Sequence, residues 1–277
     1  MSIADKLTLL ADTKEALRVK LDLGVDVPFS EYVDYIKQQD AITKLFLNGE
    51  RGVWYDPSDK STLFQDVAGT VPVTKDGDPV GLMKDKSGSN NHMVQPTASK
   101  RPVYRRQLQS AWLQFDGVDD YMKSVSSFNP RSIVIAMNNK KTHSSAGFSL
   151  WSYWQLLSRH NGIYYSGDSG VEGGYGRFVS TLANLGATYV ASLVIDSQDS
   201  RLSFKGVSAT HTGGISGTPS IATKLYLGAR VIDNEVIVSA WHGQIDIFKM
   251  IVTESVLSVN DEALAADYVA SNMGITL

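Results

Sequence analysis

Apolar positions recur with a helical period only at the two ends of the chain. At the N-terminal end, Ala16, Leu17, Leu21 and Leu23 form a stripe. Asp12-Thr13-Lys14-Glu15 ahead of it reads as an N-cap with its capping-box glutamate, and Gly24 offers a C-cap. After Pro28, Ser30 is placed to cap a second helix in which Tyr32, Tyr35 and Ile36 share a face. A third short stretch, Ile42 to Leu47, ends at Asn48-Gly49. Helices this short bury little by themselves, so they need a partner surface. At the C-terminal end, Asn260 is placed to cap a helix carrying Leu264, Tyr268 and Val269, which stops at Met273-Gly274.

Between the ends the period changes to that of strands. Leu113 and Phe115 share one face before the turn chemistry of Asp116-Gly117. Ser132 to Met137 is a continuous apolar run bounded by Pro130 and Asn138-Asn139. Tyr189–Ile195 and Arg201–Phe204 flank a five-residue polar loop, the layout of a hairpin. Further strands fit Lys224–Ala229, Glu235–Ser239 and Gly243–Ile251; in the last, Ile245 and Ile247 alternate with Gln244, Asp246 and Phe248. Twenty-one of the 23 glycines fall between Gly49 and Gly243, which places the turns in the same region. Many short strands without long helices between them predict a mainly β, antiparallel sandwich. A helical segment over residues 1–48 precedes a β domain over residues 49–277, which a C-terminal helix closes.

Composition narrows the function classes. The chain has 277 residues, 43% hydrophobic and 20% charged, enough apolar surface for a self-sufficient core. A net charge of −3 argues against nucleic acid as partner. The absence of cysteine removes disulfides, thiolate metal sites and cysteine nucleophiles. No apolar run reaches the ~20 residues of a membrane helix, and Met1-Ser2-Ile3-Ala4-Asp5-Lys6 lacks the layout of a secretory signal.

Candidate chemistry is sparse. Retaining glycosidases need two carboxylates about 5–5.5 Å apart, but the late strand offers only Asp246, and no Glu-x-Asp-x-Glu pattern occurs. Gly167-Asp168-Ser169-Gly170 matches a serine-protease nucleophile loop in letters only, since no histidine stands in a matching context. Residues 170–176 lack the spacing and lysine of a phosphate loop, and the five histidines are scattered. Asp116, Asp119 and Asp120 suit either a calcium loop or a plain turn between Phe115 and Tyr121. Trp151, Tyr153 and Trp154, with Tyr164, Tyr165 and Tyr175 around a glycine-rich loop, are the candidate platform for a carbohydrate. Alternating aromatics equally suit a core, and here Trp151 and Tyr153 share one face while Trp154 takes the other.

One block resembles a known group. Gly52-Val53-Trp54-Tyr55-Asp56-Pro57-Ser58-Asp59 and Thr62-Leu63-Phe64-Gln65-Asp66 resemble a signature of tailed-bacteriophage structural proteins. Pro79-Val80-Gly81, Asp85-Lys86-Ser87-Gly88, Asn91-His92 and Leu113-Gln114-Phe115-Asp116-Gly117 continue the match. Ala240-Trp241-His242-Gly243-Gln244-Ile245-Asp246-Ile247-Phe248 resembles the late strand of the concanavalin A-like jelly roll that this block opens in that group. The resemblance implies a jelly-roll fold and a loop at Asp85–His92 that locks the sheet edge. It also implies a non-enzymatic virion protein, foremost a tail-fibre or baseplate appendage made in the host cytoplasm. Leu17, Leu21, Tyr32, Tyr35 and Ile36 would then attach to other virion proteins, the assembly being a homo-oligomer, by habit of such fibres a trimer, and the head could meet host-surface glycan. A capsid or collar decoration without receptor role, and a polysaccharide depolymerase, are the alternatives.

Overall fold

The computed structural model describes residues 29–108, 110–140, 145–150, 154–159, 162–167, 177–182, 186–196, 200–205, 209–212, 222, 224–232 and 236–271. Helix α1 spans Phe29–Phe46. The strands follow as β1 Gly52–Tyr55, β2 Leu63–Phe64, β3 Leu82–Met83, β4 Met93–Val94, β5 Val103–Gln107, β6 Ser110–Asp116, β7 Met122–Ser124 and β8 Ser132–Asn139. Next come β9 Ser145–Leu150, β10 Trp154–Arg159, β11 Gly162–Gly167, β12 Arg177–Leu182, β13 Thr188–Val194, β14 Arg201–Lys205 and β15 Ala209–Thr212. β16 Leu225–Leu227, β17 Ala229–Ile232, β18 Val236–His242, β19 Gln244–Thr253 and helix α2 Val259–Ala270 complete the order.

Two antiparallel sheets form the sandwich. One runs β14-β13-β8-β19-β6-β5, with β1 paired to the second half of β19; the other runs β15-β12-β11-β10-β9-β16-β7-β4-β3-β2. β19 lies between β8 and β6, so a strand from late in the sequence fills the centre of the first sheet. The period-2 pattern sorts each strand. In β6, Ala111, Leu113 and Phe115 point into the core between the sheets, with Leu63, Met83, Met93, Met122 and Leu225 from the opposite sheet. β8 is buried on both faces, which is why it reads as an unbroken apolar run. Ile133, Ile135 and Met137 enter the inter-sheet core, while Val134 and Ala136 face a second cluster.

That second cluster is where the helices dock. Ile42 and Phe46 of α1, with Leu257 and Ala265, Ala266, Tyr268 and Val269 at α2, pack on Trp54, Val134, Val190, Phe248 and Ile251 of the first sheet. The C-terminal half of α1 therefore packs on this chain's own sheet. Three local readings are corrected. The expected second and third helical stretches are one 18-residue helix, with Ser30 inside its first turn, ending at Phe46 three residues before Gly49 (φ +77°). Helix α2 is capped by Ser258, whose hydroxyl accepts from Asp261 N at 3.1 Å, and Asn260 lies within the helix. The alternation in β19 breaks at a register shift between Ile247 and Lys249, after which Met250 and Val252 take the core face.

The aromatic-acidic block at the start of the β region joins the chain's two ends. Trp54 stacks edge-on against Tyr268 with ring centres 5.5 Å apart, and its indole N–H donates to the Tyr268 hydroxyl at 3.1 Å. That hydroxyl donates to the buried Asp56 at 2.5 Å. Buried Lys249 donates to Ser271 Oγ at 2.7 Å, and Lys86 lies 3.8 Å from Asp56 and 2.8 Å from Asp59. Burial pushes the Asp56 carboxyl up, but Lys249, Lys86 and the hydroxyls of Ser58 and Tyr268 more than offset this and hold it below its ordinary value. Burial in turn lowers Lys249, with Asp56 opposing.

Candidate functional site

The turn after β3 is built on one carboxylate. Asp85 Oδ1 accepts from the backbone N–H of Trp54 and of Ser87, both at 2.9 Å, and Oδ2 accepts from Ser87 Oγ at 2.8 Å and Asn91 N at 3.1 Å. Ser87 Oγ also donates to Gly52 O at 3.1 Å, and Lys86 N to Trp54 O at 2.9 Å. The loop thereby covers the outer edge of β1, the edge-locking role expected of it. Asn91 then exchanges two hydrogen bonds with Ser126, at 2.8 and 3.1 Å, and so ties this loop to the turn after β7.

These turns frame a groove of about 530 Å³. Its apolar lining residues are the buried Phe46, from the end of α1, and Phe128, with exposed Leu47. Its polar and charged lining residues are Ser87, Ser89, Asn91, Ser126, Ser127, Glu50 and Arg51. Ion pairs and backbone contacts hold the charged members. Arg51 lies 3.3 Å from Glu254, whose other oxygen accepts from Asn129 N at 2.6 Å, and Glu50 Oε1 accepts from Ser255 N at 2.8 Å. The volume falls within the roughly 300–1,000 Å³ typical of small-molecule pockets. Sequence reasoning missed this groove because its members come from three separate segments; the serine and asparagine density of Ser87–Asn91 and Ser124–Ser127 was the signal present.

The acidic triplet is brought together as expected. One oxygen from each of Asp116, Asp119 and Asp120 lies within 4.8 Å of the others. Asp116 Oδ1 accepts from Val118 N, Asp119 N and Asp120 N at 2.8, 3.3 and 3.4 Å, while Asp120 Oδ2 accepts from Asp116 N at 3.1 Å. This is a turn that folds on its own carboxylates, with Gly117 at φ +76°. Burial, then the charges of Asp116 and Asp119, push the Asp120 carboxyl up to about 7. Asp246 instead sits in a ladder with Lys140 at 2.6 Å and Gln114 at 3.5 Å, and burial raises its carboxyl against Lys140.

The aromatic candidates divide differently. Trp154 opens β10, paired to Leu150 at the end of β9. The backbone of Tyr164 and Tyr165 belongs to β11, opposite Val179 and Phe178 of β12. Their side chains, that of Trp154, and the whole of Trp151, Tyr153 and Tyr175 lie outside the described residues. So do Leu17 and Leu21, while Tyr32, Tyr35 and Ile36 fall in α1 with side chains outside them.

No protein-family model and no curated protein matches the chain. Among solved structures, it is similar to an arabinofuranosidase complexed with arabinofuranosyl-alpha-1,2-xylobiose (TM-score 0.42, 10% identity, 70% of this chain and 51% of that one). It is similar to Trypanosoma rangeli sialidase in complex with the inhibitor DANA (0.44, 9%, 87% and 38%). It is also similar to domain 4 of a Geobacillus stearothermophilus extracellular arabinanase in complex with arabinotriose (0.38, 12%, 67% and 92%). The chain spans about half the length of the arabinofuranosidase it matches. These structures are carbohydrate-active enzymes or a domain of one. They run against the expectation of a non-enzymatic virion protein, which is withdrawn together with the answer that the chain is no enzyme. With TM-scores below 0.5, they carry no argument about chemistry, which is taken below from this chain's own residues.

Proposed function

We propose that this chain is a carbohydrate-active β-sandwich that engages a glycan in the groove between the end of α1 and the turns at Ser87–Asn91 and Ser126–Phe128. The observation that carries the reading is the groove's mixed lining, in which Phe46, Leu47 and Phe128 stand among hydroxyl, amide and charged side chains. A sugar ring has one apolar face and a rim of hydroxyls, and it needs that combination. Asn91 and Ser126 are already fixed by their mutual hydrogen bonds, and Arg51 and Asn129 N by Glu254, so little side-chain ordering remains to be done on binding. The test is affinity electrophoresis of the full chain through gels containing neutral and acidic polysaccharides. Retardation that Ser127→Trp abolishes, with melting unchanged, is expected; equal migration in every gel refutes the reading.

A second reading concerns hydrolysis, and the Asp120 carboxyl favours it. A carboxyl half protonated near pH 7 beside a second carboxylate is the pairing that acid-assisted glycoside cleavage uses. Asp120 would then be the proton donor and exposed Asp116 its partner. Calcium is the competing occupant: Asp116 Oδ2, Asp119 and Asp120 Oδ1 remain after the turn's own hydrogen bonds, and hard oxygen donors suit that ion. Release of reducing ends from a polysaccharide, abolished by Asp120→Asn and insensitive to chelator, supports hydrolysis. A melting temperature raised by calcium and lowered by chelator assigns the triplet to the ion instead.

A further inference from the structure

We infer that the groove selects a neutral, hydroxyl-rich saccharide over an acidic one, with Glu50 and Arg51 gripping adjacent hydroxyls from opposite electrical signs. The inference rests on the glycan reading above and adds the class of sugar. Among the described lining residues, Arg51 is the cation and Glu50 the anion. Arg51 is already answered by Glu254 at 3.3 Å, so the local balance is one cation against two carboxylates. A sugar carboxylate entering here would meet Glu50 and find no uncompensated positive charge, and at close range in a partly shielded groove that repulsion opposes binding.

A neutral vicinal diol fits the same groups. Glu50 spends Oε1 on Ser255 N and keeps Oε2 to accept a sugar O–H. Arg51 uses one N–H group toward Glu254, and a guanidinium carries five N–H donors, so others remain for a sugar oxygen. Adjacent hydroxyls donate and accept at once, which suits a groove lined by both an acidic and a basic side chain. Ser127, also in the lining, adds a hydroxyl that both donates and accepts.

The measurement is titration calorimetry of the full chain with xylotriose, arabinotriose and maltotriose as neutral probes and with trigalacturonate and sialyllactose as acidic ones. Wild type is expected to bind at least one neutral probe, with the acidic probes weaker by about tenfold or more. Arg51→Ala and Glu50→Gln are each expected to weaken the neutral probe by about tenfold, the loss of one charge-assisted hydrogen bond. Glu50→Gln keeps an oxygen for Ser255 N and should narrow the gap between acidic and neutral probes; far-ultraviolet dichroism and melting confirm that each variant is folded. Acidic probes binding as tightly as neutral ones, or neutral binding indifferent to both substitutions, overturns this inference while leaving the glycan reading intact. Failure of all five probes refutes the glycan reading itself.

Discussion

Asp120 keeps a proton that an isolated aspartate would lose. Its folded value of about 7 stands above the ordinary 3.8, so the native state holds the proton longer than the unfolded chain does. The associated stability is fully present below pH ~4 and is lost as pH rises toward ~7. Asp120→Asn removes the titration while keeping an oxygen for Asp116 N. Chemical denaturation at pH 8 should find the variant more stable by about 2 kcal/mol, with a flatter profile between pH 4 and 7. An unchanged profile would show that the charge is already neutralised, as by a bound cation. Gly228 is a second residue whose environment decides its identity. At φ +81°, an added Cβ would lie 2.3 Å from the Phe115 ring and 3.0 Å from Asp120 O, so Gly228→Ala should cost about 2–4 kcal/mol in a urea titration.

Among the elements, α2 does more than close the chain. Its first turn places Glu262 against Arg201 at 3.0 Å and Ser203 at 3.2 Å, and Asp267 meets Lys205 at 2.7 Å, so alternate residues of β14 grip one helix. Exposed pairs such as Lys205–Asp267 contribute little, and the apolar cluster beneath the helix carries most of the attachment. The buried Tyr268 hydroxyl is the exception. It serves Trp54 and Asp56 together, so Tyr268→Phe leaves a buried indole N–H and a buried carboxylate each short of a partner. Thermal unfolding should report a loss of about 2–3 kcal/mol. A loss below about 0.5 kcal/mol would show that water takes over those bonds, or that water accepts from the indole while Lys249 donates to Asp56.

For the whole molecule, the order of strands sets the folding problem. β19 must insert between β8 and β6, and β1 must find the far half of β19, about two hundred residues away in sequence. Contacts this distant close slowly, so refolding from urea followed by tryptophan fluorescence should be slower than about 1 s⁻¹. Ligand linkage acts at this scale as well. A neutral sugar at about 100 times its dissociation constant should stabilise the fold by about 2.7 kcal/mol, visible as a rise of several degrees in melting temperature that Arg51→Ala, by weakening binding about tenfold, cuts to about half.

The sequence by itself determined several strands and the closing helix: alternation in Leu113–Phe115, the apolar run of Ser132–Met137 and the helical spacing of Leu264, Tyr268 and Val269 are local facts that one-dimensional periodicity records. The acidic triplet was legible for the same reason, its three members lying within five residues. Only the tertiary structure decided that α1 is one helix docked on its own sheet, because spacing fixes a face but not what covers it. The same holds for Trp54-Tyr55-Asp56, which the sequence marks as a block and the fold turns into a latch across 212 residues to Tyr268. The groove is the extreme case. Glu50, Ser87, Ser126 and Phe128 carry no pattern in common along the chain, and their convergence exists only once β1, the Asp85 turn and the turn after β7 have been hydrogen-bonded together.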